Sequence, residues 1–186
     1  DLCARCHLEG DALIEIRPAG APPFRPGEDL LAQRAVLVAA HPGAQPSFVS
    51  HVRRLALSAC FRASPAMTCT TCHDPHEPPR RQERARLLAV CTVCHAILRH
   101  PEPAAPVGAD DCISCHMPRV EPFDLPGAQI GDHWIRRAPA RPGAAGAFRE
   151  HEAPDGNWEV FRYRAGDPER WTAREQSALC GMALAD

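Results

Sequence analysis

The feature that most constrains this chain is a five-residue pattern, Cys-x-x-Cys-His, which occurs four times in 186 residues. The copies begin at Cys3, Cys69, Cys91 and Cys112. At these residue frequencies chance would produce about 0.03 copies in a chain of this length. The repetition therefore reflects a chemical requirement that the chain meets four times.

This spacing is the attachment signature of c-type haem. Each thiol forms a thioether to one vinyl group of the porphyrin, and the histidine that follows binds the iron as its proximal ligand. We therefore predict four covalently attached haem c groups. The predicted thioether cysteines are Cys3, Cys6, Cys69, Cys72, Cys91, Cys94, Cys112 and Cys115, and the predicted proximal ligands are His7, His73, His95 and His116.

Two other interpretations use the same cysteines. Cys-x-x-Cys segments also form zinc sites and redox dithiols, and cysteine-rich exported chains form disulfide scaffolds. Neither gives the histidine a role in all four copies. Two further cysteines, Cys60 and Cys180, lie outside the motifs. They either form a disulfide in an oxidising compartment or remain two buried thiols that pack as small apolar groups.

Composition points to a fold with little core volume of its own. The chain has 20 prolines, but only six Phe, three Trp and one Tyr. We therefore predict a mostly α, loop-rich multihaem cytochrome c with little or no β structure, whose core is formed by the four haems. The net charge of −2 argues against nucleic-acid binding, and no apolar run is long enough to span a membrane.

The motif positions divide the chain into a tetrahaem domain at residues 1–136 and a C-terminal extension at residues 137–186. Apolar periodicity predicts helices at residues 28–40, 48–62 and 81–95. The clearest helix is the terminal one, at about 167–183. There, Asp167 can cap the first turn and Pro168 occupies its first position.

Six histidines lie outside the motifs and are candidates for the second axial ligand of each iron. With this surplus, ligation by two histidines is the simplest account, and it predicts low reduction potentials because methionine ligation raises them. Pro75 stiffens the segment that presents His76, and Asp132 can orient the His133 ring as an acceptor. The first-ranked candidates are His51, His76 and His133, the second-ranked are His41 and His100, and His151 resembles a surface histidine.

Several segments resemble bacterial multihaem cytochromes related to the cytochrome c-554 class, in many of which a haem domain precedes tetratricopeptide repeats. The resemblance covers residues 1–136. It implies that His76, shortly after its motif, and His133, after the last motif, ligate haem irons. The segments that show this resemblance are Phe-Val-Ser-His at 48–51, Met-Thr-Cys-Thr-Thr-Cys-His-Asp-Pro-His at 67–76, Cys-His-Met-Pro-Arg at 115–119 and Asp-His at 132–133.

The chain departs from such relatives before the first motif, where they have a longer segment with further ligands. Only two residues precede Cys3. The distal ligand of the first haem is then expected from His41, His100 or His151, or from another molecule. A ligand donated between subunits would join copies head to tail into an open filament, which resembles extracellular cytochrome nanowires.

The leading hypothesis is electron transfer by a tetrahaem cytochrome with mainly bis-histidine haems, extended by polymerisation into an extracellular conducting filament. The alternatives are a soluble periplasmic shuttle or a module bound to a redox partner protein. A reductase or oxidase would need an open iron position with acid–base groups, so we predict no enzyme. Because haem attachment follows export, we expect an extracellular or periplasmic protein, and a mature or trimmed chain.

Overall fold

The computed structural model describes residues 2–40, 43, 45–96, 111–137, 157–164, 167 and 171–183. Of these, 36% are helical and 13% lie in strands. The prediction of a loop-rich chain is confirmed, and strands are a minority, although they form small antiparallel sheets that we did not predict. The predicted ligands His41 and His100, and the surface candidate His151, lie outside the described residues.

The elements are short and widely spaced. The helices are α1 (Ala4–His7), α2 (His51–Ala56), α3 (Ala59–Ala63), α4 (Cys69–Cys72), α5 (Arg84–Cys94), α6 (Cys112–His116) and α7 (Ala173–Ala183). The strands are β1 (Ala12–Glu15), β2 (Arg34–Ala39), β3 (Arg119–Val120), β4 (Ile130–Gly131) and β5 (Trp158–Val160). Within the described part of the chain, no helix has the length and apolar character needed to cross a bilayer.

A three-stranded antiparallel sheet, in the order β1-β2-β5, organises the part of the molecule around the first motif. Val36 of β2 lies opposite Leu13 on one side, and Leu37 lies opposite Val160 on the other. The sheet therefore joins both ends of the chain. The region after residue 136, which we expected to be an extension, supplies one edge strand and the helix α7 that packs on the sheet.

The predicted helix at residues 28–40 is wrong. A single 3-10 turn at Leu30–Ala32, capped by the Asp29 carboxylate, leads directly into β2. A short apolar run fits a buried helix and a buried strand equally well. The strand forms here because β1 and β5 satisfy both edges of β2 and because the β-branched residues Val36 and Val38 suit a pleated surface.

The other predicted helices are present with different bounds. The segment 48–62 contains α2 and α3, which are separated at Ser58 because its backbone is extended, with ψ at 129°. The segment 81–95 contains α5. The terminal helix begins at Ala173, since Thr172 and Glu175 form a capping box in which each backbone N–H donates to the other side chain. Asp167 does not cap it, and instead accepts from the backbone N–H of Arg164.

Within the described residues, side chains form a core around the sheet, which the expectation of a core formed by the four haems did not include. Two apolar clusters pack against the sheet, one towards α1 and α2 and the other towards α7. The first contains Ala4, Leu8, Phe24, Leu30, Leu31, Val36, Val38, Val52 and Phe161. The second contains Ala35, Leu37, Val160 and Leu179. Among residues 62–96 and 111–137, Pro122 is the only apolar side chain that is buried.

Gly10 permits the close approach of the chain after α1 to the sheet. A Cβ atom at this position would lie 2.6 Å from the Leu37 carbonyl oxygen and would also meet the Val36 side chain. We expect Gly10→Ala to lower the free energy of unfolding by about 1–3 kcal/mol, the usual cost of overpacking.

The matched control is Gly181→Ala in α7, where an added Cβ meets no atom within 4 Å. There the same substitution should raise stability by about 0.5–1 kcal/mol, because glycine is unfavourable inside a helix. Denaturant unfolding followed by circular dichroism measures both variants. Equal unfolding midpoints would contradict the packing assigned to Gly10.

Candidate functional site

Each Cys-x-x-Cys-His motif contains a turn of helix. The backbone N–H of the histidine donates to the carbonyl of the first cysteine in the first three motifs, at 2.9 Å each time, as from His7 to Cys3. The fourth motif is the helix α6. Residues i, i+3 and i+4 share one face of a helix. Both thiols and the imidazole of each motif therefore lie on the same side of their turn, as attachment to one porphyrin requires.

Neighbouring motifs in the chain are also neighbours in space. The thiol of Cys3 lies close enough to that of Cys69 to raise the pKa of Cys69 in addition to the effect of burial. Burial raises the pKa of the Cys91 thiol above its ordinary value, and the nearby thiols of Cys112 and Cys72 raise it further. The four motifs thus follow one another across the molecule in chain order.

Four imidazoles come together between the first two motifs. The ring centres of His7 and His51 are 5.3 Å apart, those of His51 and His133 are 4.6 Å apart, and those of His133 and His73 are 6.0 Å apart. We call these residues the four-histidine cluster. It contains two motif histidines at its ends and two of the predicted distal ligands in its middle.

These distances indicate how the four rings pair. A bond of about 2.0 Å from a metal to each imidazole nitrogen puts the centres of two rings on opposite sides of one ion roughly 6 Å apart. The separations His73–His133 and His7–His51 are the two closest to this value. The His51–His133 separation of 4.6 Å is too short for it. The geometry thus favours His51 as the partner of His7, and His133 as the partner of His73.

Backbone carbonyls set the tautomers of two imidazoles. The Nδ1 atom of His133 lies 3.0 Å from the Gly131 oxygen, and that of His116 lies 2.6 Å from the Arg136 oxygen. Because a carbonyl oxygen only accepts, Nδ1 must carry the proton, which leaves the Nε2 lone pair for a metal. The expectation that Asp132 orients the His133 ring as an acceptor is wrong, since the Gly131 carbonyl does so.

The two central rings are held in the neutral form. The pKa of His51 is lowered to about 4, mainly by burial and then by the positive charges that His133, His7 and His73 could carry. Burial is also the main cause that lowers the pKa of His133. Neutral imidazole is the form that ligates a metal, so neither ring has to lose a proton near neutral pH.

Two buried nitrogens of the cluster have no hydrogen-bond partner within the described residues. They are the Nδ1 atoms of His51 and His73. Buried polar atoms are normally paired, so these two nitrogens are exceptions that the described protein groups do not satisfy.

The remaining sequence-predicted ligands lie outside the cluster. His76 is exposed, and its backbone N–H donates to the Asp74 carboxylate at 2.9 Å. His95 is exposed at the end of α5. For the first motif we expected a second ligand from His41, His100, His151 or another molecule, and His51 of the same chain, which lies beside His7, is a further candidate.

The two cysteines outside the motifs are both free thiols. Cys60 lies on α3, close enough to Cys72 to raise the pKa of that thiol in addition to the effect of burial. Cys180 lies on α7, and its thiol donates to the Trp158 carbonyl at 3.6 Å. The structure therefore contains no disulfide between them, and both are half-buried.

The regions that carry the last three motifs fit a large apolar group that the polypeptide does not supply. Helix α5 has no buried residue, and Val93, between Cys91 and Cys94, is 81% exposed. Porphyrins offer two broad apolar faces to such side chains. The exposed apolar side chains around these motifs thus fit the faces of a haem.

Sequence reasoning missed the buried polar residues behind the cluster. Arg54 lies one turn after His51 and forms an ion pair with Asp132 at 2.7 Å. Ser58 donates to the His133 carbonyl at 2.9 Å. The sequence carries no signal for these contacts, because the partners are more than 70 positions apart.

Comparisons with protein-family models, with curated proteins and with solved structures give no match to this chain. The resemblance to the cytochrome c-554 class therefore stays a prediction.

Proposed function

We propose that this chain is an electron-transfer protein that holds four covalently attached c-type haems. The observation that supports this most strongly is the succession of four Cys-x-x-Cys-His turns, whose neighbouring thiols lie side by side in chain order. When bound, each haem supplies a reversible one-electron couple of its iron. The protein's part is to anchor, ligate and space the four groups.

The imidazoles determine what the first two sites can do. His7 and His51 would hold one iron, and His73 and His133 would hold the next. An iron with two protein ligands besides the porphyrin has no position left for a substrate, which favours electron transfer over catalysis. His76 and the histidines outside the described residues remain candidates for the irons held by His95 and His116.

A carrier that works as a single chain, or bound to a redox partner protein, fits these contacts better than a filament joined by shared ligands. The reason is that His51 offers the first site a ligand from the same chain. Covalent attachment of haem places such a protein outside the cytoplasm, in the periplasm or beyond it.

The first test is to count haems on the purified exported protein. We expect the mass of the denatured chain to exceed the polypeptide mass by four haems, and the pyridine haemochrome assay to give four haems per chain. A potentiometric titration should then show reversible reduction with low-spin spectra. Fewer than four covalent haems, or a chain that zinc chelators unfold, would overturn the proposal.

A further inference from the structure

Arg54 and Asp132 form the most deeply buried ion pair in the described part of the chain. Their side chains are 2% and 0% exposed. The Arg54 Nε atom donates to Asp132 Oδ1 at 2.9 Å, and Nη2 donates to Oδ2 at 2.7 Å. The third guanidinium nitrogen donates to the Gly43 carbonyl. The guanidinium thus uses all three of its nitrogens in fixed directions.

Neighbouring groups fix the carboxylate in the same way. Asp132 also accepts from Arg136 Nη2 at 3.0 Å and from the Trp134 backbone N–H at 2.9 Å. The Trp134 ring lies 5.0 Å from the Arg54 guanidinium and 4.6 Å from that of Arg136. The loop that follows Asp132 therefore folds back over the ion pair.

The ion pair connects the two segments that carry the central imidazoles. Arg54 lies on α2 one turn after His51, and Asp132 directly precedes His133. The two rings are 4.6 Å apart. A second link lies close by, where Ser58 donates to the His133 carbonyl at 2.9 Å and accepts from the Ile135 N–H at 2.8 Å.

Stability alone does not account for a pair of charges at this place. Removing both ions from water carries a large desolvation penalty, and apolar replacements of similar volume often leave stability unchanged or raise it. A planar guanidinium that grips a carboxylate with two parallel hydrogen bonds instead accepts a single orientation. The contribution specific to this pair is that it fixes the orientation of Arg54 relative to Asp132.

We propose that the Arg54–Asp132 ion pair is a positioning device that keeps His51 and His133 at ligating distance from the irons held by His7 and His73. Neither member touches an iron ligand's metal-binding nitrogen, so both are positioning residues. The inference rests on the proposed function, since it requires haem irons at the four-histidine cluster. Without the pair, α2 and the loop after β4 would be joined less firmly, by the Ser58 hydrogen bonds, and the two imidazoles would shift away from their irons.

The test is Arg54→Met in the haem-loaded protein, because methionine is unbranched and apolar. We expect up to two of the four irons to change from low spin to high spin by electron paramagnetic resonance. The reduced variant should also bind up to two more carbon monoxide molecules per chain than the unaltered protein. Arg54→Lys keeps the positive charge but lacks the two parallel donors of a guanidinium. It should therefore retain only part of the low-spin signal.

The matched control is Arg53→Met, on the neighbouring residue of α2. Arg53 is as buried as Arg54, but it faces the sheet and donates to the Ala39 carbonyl at 2.7 Å. We expect this variant to lose stability while its spin state and carbon monoxide binding stay unchanged. Should Arg54→Met fail to accumulate, Asp132→Asn removes the charge with no change of shape and is expected to have the same spectral effect.

The outcomes separate the two proposals. Four low-spin haems in both the unaltered protein and Arg54→Met would overturn the positioning role and leave electron transfer standing. Equal spectral changes in Arg53→Met and Arg54→Met would also overturn it, because any loss of stability would then suffice. An unaltered protein without four covalent haems would overturn the proposed function itself.

Discussion

Replacing His133 by methionine is expected to raise the reduction potential of one haem by an amount on the order of 100 mV, within the roughly 0.8 V range over which axial ligands set such potentials. Methionine ligation raises the potential relative to histidine. Only one iron should respond if the pairing inferred from the ring distances holds, in which His133 ligates the iron held by His73 and His51 the iron held by His7. Potentiometric titration followed optically would resolve the displaced component.

The control for this variant is Leu125→Met, at an exposed residue that belongs to no motif and to no set of candidate ligands. It should leave all four potentials where they are. A His133→Met protein with four unchanged potentials would contradict the assignment of His133 as a ligand. A shift of two potentials would instead contradict the pairing within the four-histidine cluster.

Removing the third anchor is expected to take away one haem of four and to loosen α5. The variant is Cys91→Ala combined with Cys94→Ala. Helix α5 has no buried residue, so the group held by these thiols would be its main packing partner. Intact mass after denaturation should fall by one haem, and trypsin should cut faster after Arg84 and Arg86.

Cys60→Ala is the matched control for this second prediction. Cys60, on α3, lies close to Cys72 but belongs to no motif. It should keep four haems and the original rate of cleavage. Loss of a haem from Cys60→Ala would contradict the division of the cysteines into anchors and free thiols. Unchanged cleavage of α5 in the double variant would contradict its dependence on the bound group.

Local chemistry accounts for what could be predicted from the sequence. The three functional groups of each motif lie within five consecutive residues, so their spacing alone indicates the chemistry. Helix α5 was also predictable, because the third motif and the apolar residues before it form one continuous segment. The residue types at Thr172 and Glu175 also indicate the capping box, although we predicted Asp167 as the cap.

The sequence by itself determined how many cofactor anchors this chain carries and which side chains serve them, because each motif is complete within a single turn. Only the tertiary structure decided which imidazoles face each other and that residues 34–39 form a strand. The partners of that strand come from both ends of the chain, and Arg54 meets Asp132 across 78 positions. Such contacts depend on packing between distant segments, which local periodicity does not encode.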